Sequence, residues 1–405
     1  MQNVLIEKPY QFVPPIRLEW VQRWIFKLGI PKRYLKKQEG VVHHECRNLE
    51  LLNDSIASGH SVILTPNHPR MADPAVMSML ALKAGFPFYA MASWHLFNQG
   101  PIAKFALRAS GAFSVNREGL DRQALDFAIE TLQTAERPLL IFPEGTTSRT
   151  NDQLMALMEG PAFIARTAAK RRAKRDGGKV VVHPVGIKYV FDGDIEKVGN
   201  DVLSDLEVRL SWKPQTDRPL IERLIKVGMG MLTLKEQQYD CPVTEGTILR
   251  QRQTNLVNHL LFPLEEEWLG TRQQGGIAIR IKNLRMKIFP EMSRSSLPED
   301  ERKRRWQHLE RTYLAQQVDC YPDHYVVEHP SVDRILETIE KFEEDFTDKV
   351  RVHGNLKAIV DVCPAIEVST KRDRSAETDP LMRQIRESLE QKLLELRPES
   401  KMYGS

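Results

Sequence analysis

The sequence predicts an α/β fold with a mixed, partly parallel central sheet flanked by helices, plus an N-terminal amphipathic helix and a mostly helical insertion. Three observations carry this. From about residue 40 to 200, short apolar runs alternate with helical stretches, the pattern of strands joined by helical crossovers. From about 200 to 350 the chain turns charged and helical, with few β-branched runs. Strand character then returns at Leu356-Lys357-Ala358-Ile359-Val360-Asp361-Val362 and Ala365-Ile366-Glu367-Val368, before a closing amphipathic helix. Four segments follow: an N-terminal helical segment 1–39, a core 40–200, a helical insertion or appended module 201–350, and a C-terminal strand and helix 351–405 that complete the core.

In order, residues 17–36 read as helical, with Trp20, Val21, Trp24 and Leu28 on one face. Lys27, Lys32, Arg33, Lys36 and Lys37 stand beside that face. Two readings fit a basic, tryptophan-bearing amphipathic helix: packing on the core, or lying in a membrane interface. Strands are expected at Ser61–Thr65, Phe88–Ala92, Ala112–Val115, Leu139–Phe142 and Val180–Tyr189. Helices are expected at Pro74–Lys83, Pro101–Ala109, Arg122–Thr134 and Gly160–Arg172. Further helices are expected at Arg223–Leu234, Asn255–Leu261, Pro298–Gln317 and Ser331–Phe346. Leu381, Ile385, Leu389, Leu393 and Leu396 mark one face of the last, Pro380–Leu396. In such a fold catalytic groups belong at the carboxyl ends of strands.

Bulk properties narrow the class. The 405 residues are 41% hydrophobic and 28% charged, which argues against a disordered chain. A net charge of +4 does not call for nucleic acid and suits an anionic membrane surface or an acidic carrier. Four widely spaced cysteines, with no Cys-x-x-Cys pair, read as free thiols in a reducing cytoplasm. His43, His44 and Cys46 lie close together but read as solvated or partly packed side chains, so no metal site is expected. Met1–Pro15 has no signal-peptide pattern, and no window of about 18 apolar residues supports a membrane span. The run Lys170–Lys179 reads as a solvated basic face or a contact for lipid headgroups or an acyl carrier.

The chemistry-bearing residues follow strands. Asn67-His68-Pro69-Arg70-Met71-Ala72-Asp73 comes after the Ser61–Thr65 run. The imidazole can take a proton near neutral pH, and a carboxylate can hold its far nitrogen and fix the tautomer. Phe142-Pro143-Glu144-Gly145-Thr146-Thr147-Ser148-Arg149 again follows an apolar run. Singly, each block is an ordinary packed histidine or a Pro-Gly turn. Their order and spacing together set them apart.

These blocks resemble those of the glycerolipid acyltransferase superfamily. His68 and Asp73 match its His-x-x-x-x-Asp motif, and Phe142–Arg149 its third block. Gly111-Ala112-Phe113-Ser114-Val115-Asn116-Arg117 matches the second, and Val182-His183-Pro184-Val185-Gly186 the fourth. The resemblance implies that His68 deprotonates an acceptor hydroxyl as it attacks a thioester, with Asp73 orienting His68. It implies that Arg117 and Arg149 bind the acceptor's phosphate, a task that suits guanidinium forks. Glu144, Gly145 and Thr146 would line the substrate site, Glu144 holding acceptor hydroxyls or bracing the site and the Gly145 turn offering oxyanion N–H groups. The expected partners are acyl-CoA or acyl-carrier protein as co-substrate, a glycerolipid acceptor such as 1-acylglycerol 3-phosphate, and a membrane surface met peripherally. No cofactor is expected. Two departures stand out: Thr147 replaces the family's usual arginine, and Ser93-Trp94-His95 replaces a basic residue before the second block. Both leave open an acceptor without phosphate. A catalytically weak carrier- or lipid-binding module, or a thioesterase-like hydrolase, remain as alternatives.

Overall fold

The computed structural model describes residues 5–119, 121–243, 246–294, 296–321, 324–349, 351–371 and 378–404. Within the segment Met1–Pro15, Met1–Val4 fall outside the described residues. The chain forms two compact units. One comprises Gln11–Gly193 with Val352–Ser400, and the other Met1–Tyr10, Asp194–Arg351 and Lys401–Ser405.

The first unit is built on eight strands: β1 (Val41–Arg47), β2 (Ser61–Pro66), β3 (Tyr89–Ser93), β4 (Ala112–Val115), β5 (Leu139–Leu140), β6 (Val180–Asp192), β7 (Asn355–Val362) and β8 (Ile366–Glu367). Their order is β1-β7-β6-β2-β5-β3-β4, with β8 beside β6. From β6 to β4 every pairing is parallel. β7 and β8 pair with β6 antiparallel. The sheet is thus mixed α/β, mostly parallel, as expected. β2 is buried at every position and β6 at nearly every one, which explains their continuous apolar runs. Pro184 is tolerated inside β6 because it falls between the β8 and β7 ladders, whose rungs end at Val182 and resume at Val185.

Seven helices precede β7 in this unit: α1 (Glu19–Lys27), α2 (Ile30–Gln38), α3 (Leu49–Ala57), α4 (Asp73–Ala84), α5 (Pro101–Ala109), α6 (Arg122–Thr134) and α7 (Gly160–Arg175). Phe127, Ala128 and Leu132 of α6, Ala165 and Ala168 of α7, and Leu381, Ile385 and Leu389 of the last helix pack with Ile63, Leu139 and Val182 on one face. α3 and α4 pack against β1, β2 and β7. The helical stretch read at 17–36 is two helices, broken at Gly29 in the left-handed region (φ 68°) just before Pro31. β1 and α3 went unread, because Val41-Val42-His43-His44-Glu45-Cys46-Arg47 mixes charge into its alternation.

The second unit is helical: α8 (Ile195–Arg209), α9 (Leu220–Gln238), α10 (Leu249–Leu269), α11 (Ile277–Ile288), α12 (Pro290–Arg294), α13 (Glu299–Asp319), α14 (Tyr325–Glu328) and α15 (Val332–Thr347). Leu256, Leu260 and Leu264 of α10, Ile281, Leu284 and Ile288 of α11, and Leu309 and Tyr313 of α13 form its main apolar cluster. α10 runs well past the expected 255–261 and carries Pro263 inside it. Among the described residues, no helix is long and apolar enough to cross a membrane.

Candidate active site

β2 and β5 are neighbours, but β2 leads into α4 and β5 into α7, which lie on opposite faces of the sheet. Adjacent parallel strands whose connections diverge open a crevice at their carboxyl ends. His68 follows β2 and Glu144 follows β5, so both stand at that crevice.

His68 Nδ1 lies 2.7 Å from Asp73 Oδ2, and the imidazole stacks on Phe142 with ring centroids 4.0 Å apart. Asp73 is fully buried, whereas the His68 side chain keeps 14% of its exposure. With Nδ1 committed to the carboxylate, Nε2 is the nitrogen left to face a substrate. The backbone N–H of Arg70 also donates to Asp73 Oδ2, at 2.9 Å. Asp73 opens α4.

Glu144 accepts from the His68 backbone N–H at 2.7 Å and from the Met155 N–H at 2.8 Å. Both carboxylate oxygens are therefore spent on main chain, and the residue is only 3% exposed. Burial pushes its carboxyl pKa up, while those two N–H groups pull it down. Of the two duties expected for Glu144, the geometry suits bracing: it ties the His68 turn to the loop that runs on to α7.

Gly145 takes a left-handed conformation (φ 69°) in the tight turn of this block. Its N–H donates to Phe142 O at 3.2 Å and closes the turn. Ser148 N–H donates to His68 O at 2.8 Å, closing the block onto the dyad. Thr146 is half-buried, and half-buried Arg149 has φ 57°. Thr147, where the family's usual arginine is missing, turns its hydroxyl to Met71 Sδ at 3.4 Å.

Arg117 follows β4 and His95 follows β3, on the same carboxyl edge. Burial first, and then the charge of Arg117, push the His95 imidazole down to about 4, so it is neutral at pH 7. Its Nδ1 lies 2.8 Å from Ser93 Oγ, and its buried Nε2 has no partner among the described residues. The strands from β2 to β4 sit about 5 Å apart, so Arg117 starts about 15 Å from the strand that carries His68.

The basic run Lys170–Lys179 closes α7 and leads into the start of β6, at the amino edge of the sheet. It is therefore on the edge opposite His68, Glu144 and Arg117.

The mixed, mostly parallel sheet thus carries an imidazole–carboxylate pair and cationic side chains along its carboxyl edge. The family model described as Acyltransferase matches residues 43–188, so the chain carries a domain of the glycerolipid acyltransferase superfamily and is a transferase of acyl groups other than aminoacyl groups. No curated protein matches the chain.

The sequence shows Asn67 in the motif without revealing its role, and does not single out Asn151 or Tyr189. Their placement depends on strand register beyond the end of β2, a signal that a motif of adjacent residues does not carry.

Proposed function

We propose that the chain is an O-acyltransferase that moves a fatty acyl group from an acyl-CoA or acyl-carrier thioester to the free hydroxyl of 1-acylglycerol 3-phosphate. The observation that carries this reading is the His68 Nδ1–Asp73 bond, which leaves Nε2 uncommitted on a ring that keeps 14% of its exposure. His68 Nε2 takes the acceptor's hydroxyl proton as that oxygen attacks the thioester carbonyl. Collapse of the tetrahedral adduct breaks the C–S bond and leaves the ester, and the proton passes from His68 to the departing thiolate. Asp73 stabilises the transient imidazolium. Arg117 and Arg149 hold the acceptor phosphate, and Glu144 braces the two loops.

The acceptor without phosphate is favoured by one observation: Thr147 sits where a third guanidinium is usual and engages Met71 instead. A panel of acceptors offered with one labelled acyl-CoA, read as lipid product, decides between the two. Preference for the phosphate-bearing acceptor by at least about tenfold in kcat/KM supports the first. Equal use of the unphosphorylated counterpart contradicts it.

The chain also meets a membrane surface in this reading. The structure buries Gln22 and Phe26 of α1 but leaves Trp20 60% and Trp24 55% exposed, with Leu28 beside them. On α5, which touches α1, Ile102 is 83% and Phe105 60% exposed. Arg23, Lys27, Lys104 and Arg108 stand next to these side chains in the sequence. An apolar face of this size with basic neighbours suits an anionic lipid interface.

A further inference from the structure

Tyr189 has no part in the chemistry above, and the family match ends at Lys188, just before it. Yet its hydroxyl donates to Asp73 Oδ1 at 2.5 Å. Asp73 Oδ2 receives His68 Nδ1 and the Arg70 N–H. Tyr189 and Asp73 are both fully buried, so water cannot replace this bond. Burial foremost, and then the Asp73 charge, hold the phenol pKa well above its ordinary value, so it stays a donor across the working pH range.

The tyrosine is also held in register. Beyond Pro66, whose partner is Val185, β2 no longer supplies rungs to β6. Two carboxamides take over. Asn67 accepts from the Ile187 N–H at 2.6 Å and donates to Ile187 O at 2.9 Å. Asn151 does the same with Tyr189, at 2.9 Å each way. Ile187 and Tyr189 continue the period-2 row begun by Val185, whose carbonyl takes the Asn67 N–H. Asn67 adjoins His68, and Asn151 belongs to the loop that Glu144 braces. Next along β6, Lys188 points to the other face and pairs with Asp152 at 2.6 Å, both buried. The loops that carry the site are thus registered against one stretch of β6.

We propose that Tyr189 is a positioning residue of acyl transfer: it clamps the Asp73 carboxylate so that Oδ2 presents to His68 Nδ1, which keeps Nε2 aimed at the acceptor hydroxyl. This rests on the reading of His68 as the base. Without the phenol, Asp73 swings and pulls harder on the imidazole proton, so kcat falls and the acid limb of the pH profile rises. The titratable and charged groups facing the clamp are His68, Arg70 (its guanidinium 5.4 Å from the Tyr189 ring), Glu39 and Glu144.

The test uses the full chain with labelled acyl-CoA and 1-acylglycerol 3-phosphate, comparing wild type, Tyr189→Phe, Asp73→Asn, the double variant and His68→Ala. Tyr189→Phe is expected to lose about ten- to a hundredfold in kcat, as orienting partners of functional imidazoles do, with both KM values within about twofold. Its acid limb should move to higher pH, and adding it to Asp73→Asn should cost less than about twofold more. An unchanged kcat and acid limb, or the same penalty in both backgrounds, overturns the proposal. An active His68→Ala overturns the base reading itself; an inactive one beside an unaltered Tyr189→Phe overturns only the clamp. Should Tyr189→Phe not fold, 3-fluorotyrosine at position 189 keeps the hydroxyl and donates more strongly. The acid limb must then move down, and no movement refutes the clamp.

Discussion

In the helical unit, three arginines form forks with glutamates on the preceding helix. Arg223 of α9 grips Glu207 of α8 at 2.9 and 3.0 Å, Arg252 of α10 meets Glu236 of α9, and Arg280 of α11 meets Glu265 of α10. Arg223 completes its set with Asn200 and Ser204. At the carboxyl edge of the sheet unit the buried groups come instead from three elements, the β2–α4 turn, the loop after β5 and the far end of β6, and converge on one imidazole. That imidazole keeps one nitrogen uncommitted and part of its surface exposed. The difference shows why buried charge alone does not mark a site. A closed fork specifies how two helices pack, while a convergent set left open by one atom is poised for a substrate. Lys188–Asp152 shows that the sheet unit contains a closed pair too, beside the open one.

The strongest challenge to this contrast is Arg223→Ala. It strands Glu207, 1% exposed, without its fork, and should cost about 3–5 kcal/mol in denaturant unfolding. The kcat per folded molecule should not change. A large drop in kcat with intact stability would make the helical fork part of the catalytic apparatus and dissolve the comparison.

His95 gives a smaller, pH-dependent effect. An unfolded histidine takes its proton near pH 6.5, but in the fold His95 takes it only near pH 4. Its contribution to stability is therefore complete above about pH 6.5 and is lost as pH falls toward 4, up to about 3 kcal/mol. His95→Gln should flatten that part of the stability–pH curve. An acid slope identical to wild type would show that Arg117 and burial do not act on His95 as described.

The smallest effect concerns the exposed face of α1. Replacing Trp20 and Trp24 together by Ala should weaken binding to anionic vesicles by about tenfold and leave the melting temperature within about 2 °C, since neither side chain is buried. A large loss of stability would mean that these rings serve the core.

The fold and site were legible to different depths. The buried strands Ser61–Pro66 and Val180–Asp192 announce themselves as apolar runs, and His68, Asp73 and Glu144 as chemistry following strands. The orientation of α1 was open, because its Trp20–Trp24–Leu28 stripe fits a core or an interface equally. The burial of Phe26 and of the polar Gln22, which bonds Phe88 O and Ser110 O, settles which face is inward. Asn67, Asn151 and Tyr189 were hidden because their partners lie more than thirty residues away, 120 for Asn67, and depend on register. That the N–H of Gly145 closes its own turn on Phe142 O is likewise a matter of backbone geometry that the motif does not display.

The central claim is that His68 is the base that activates an acceptor hydroxyl, and it is tested most directly by His68→Ala assayed with labelled acyl-CoA and 1-acylglycerol 3-phosphate. Wild type is expected to give diacylated product, and the variant a fall in kcat of at least about 10³-fold at unchanged melting temperature. Near wild-type product formation by His68→Ala, or acceptor-independent release of free fatty acid by wild type, would contradict it.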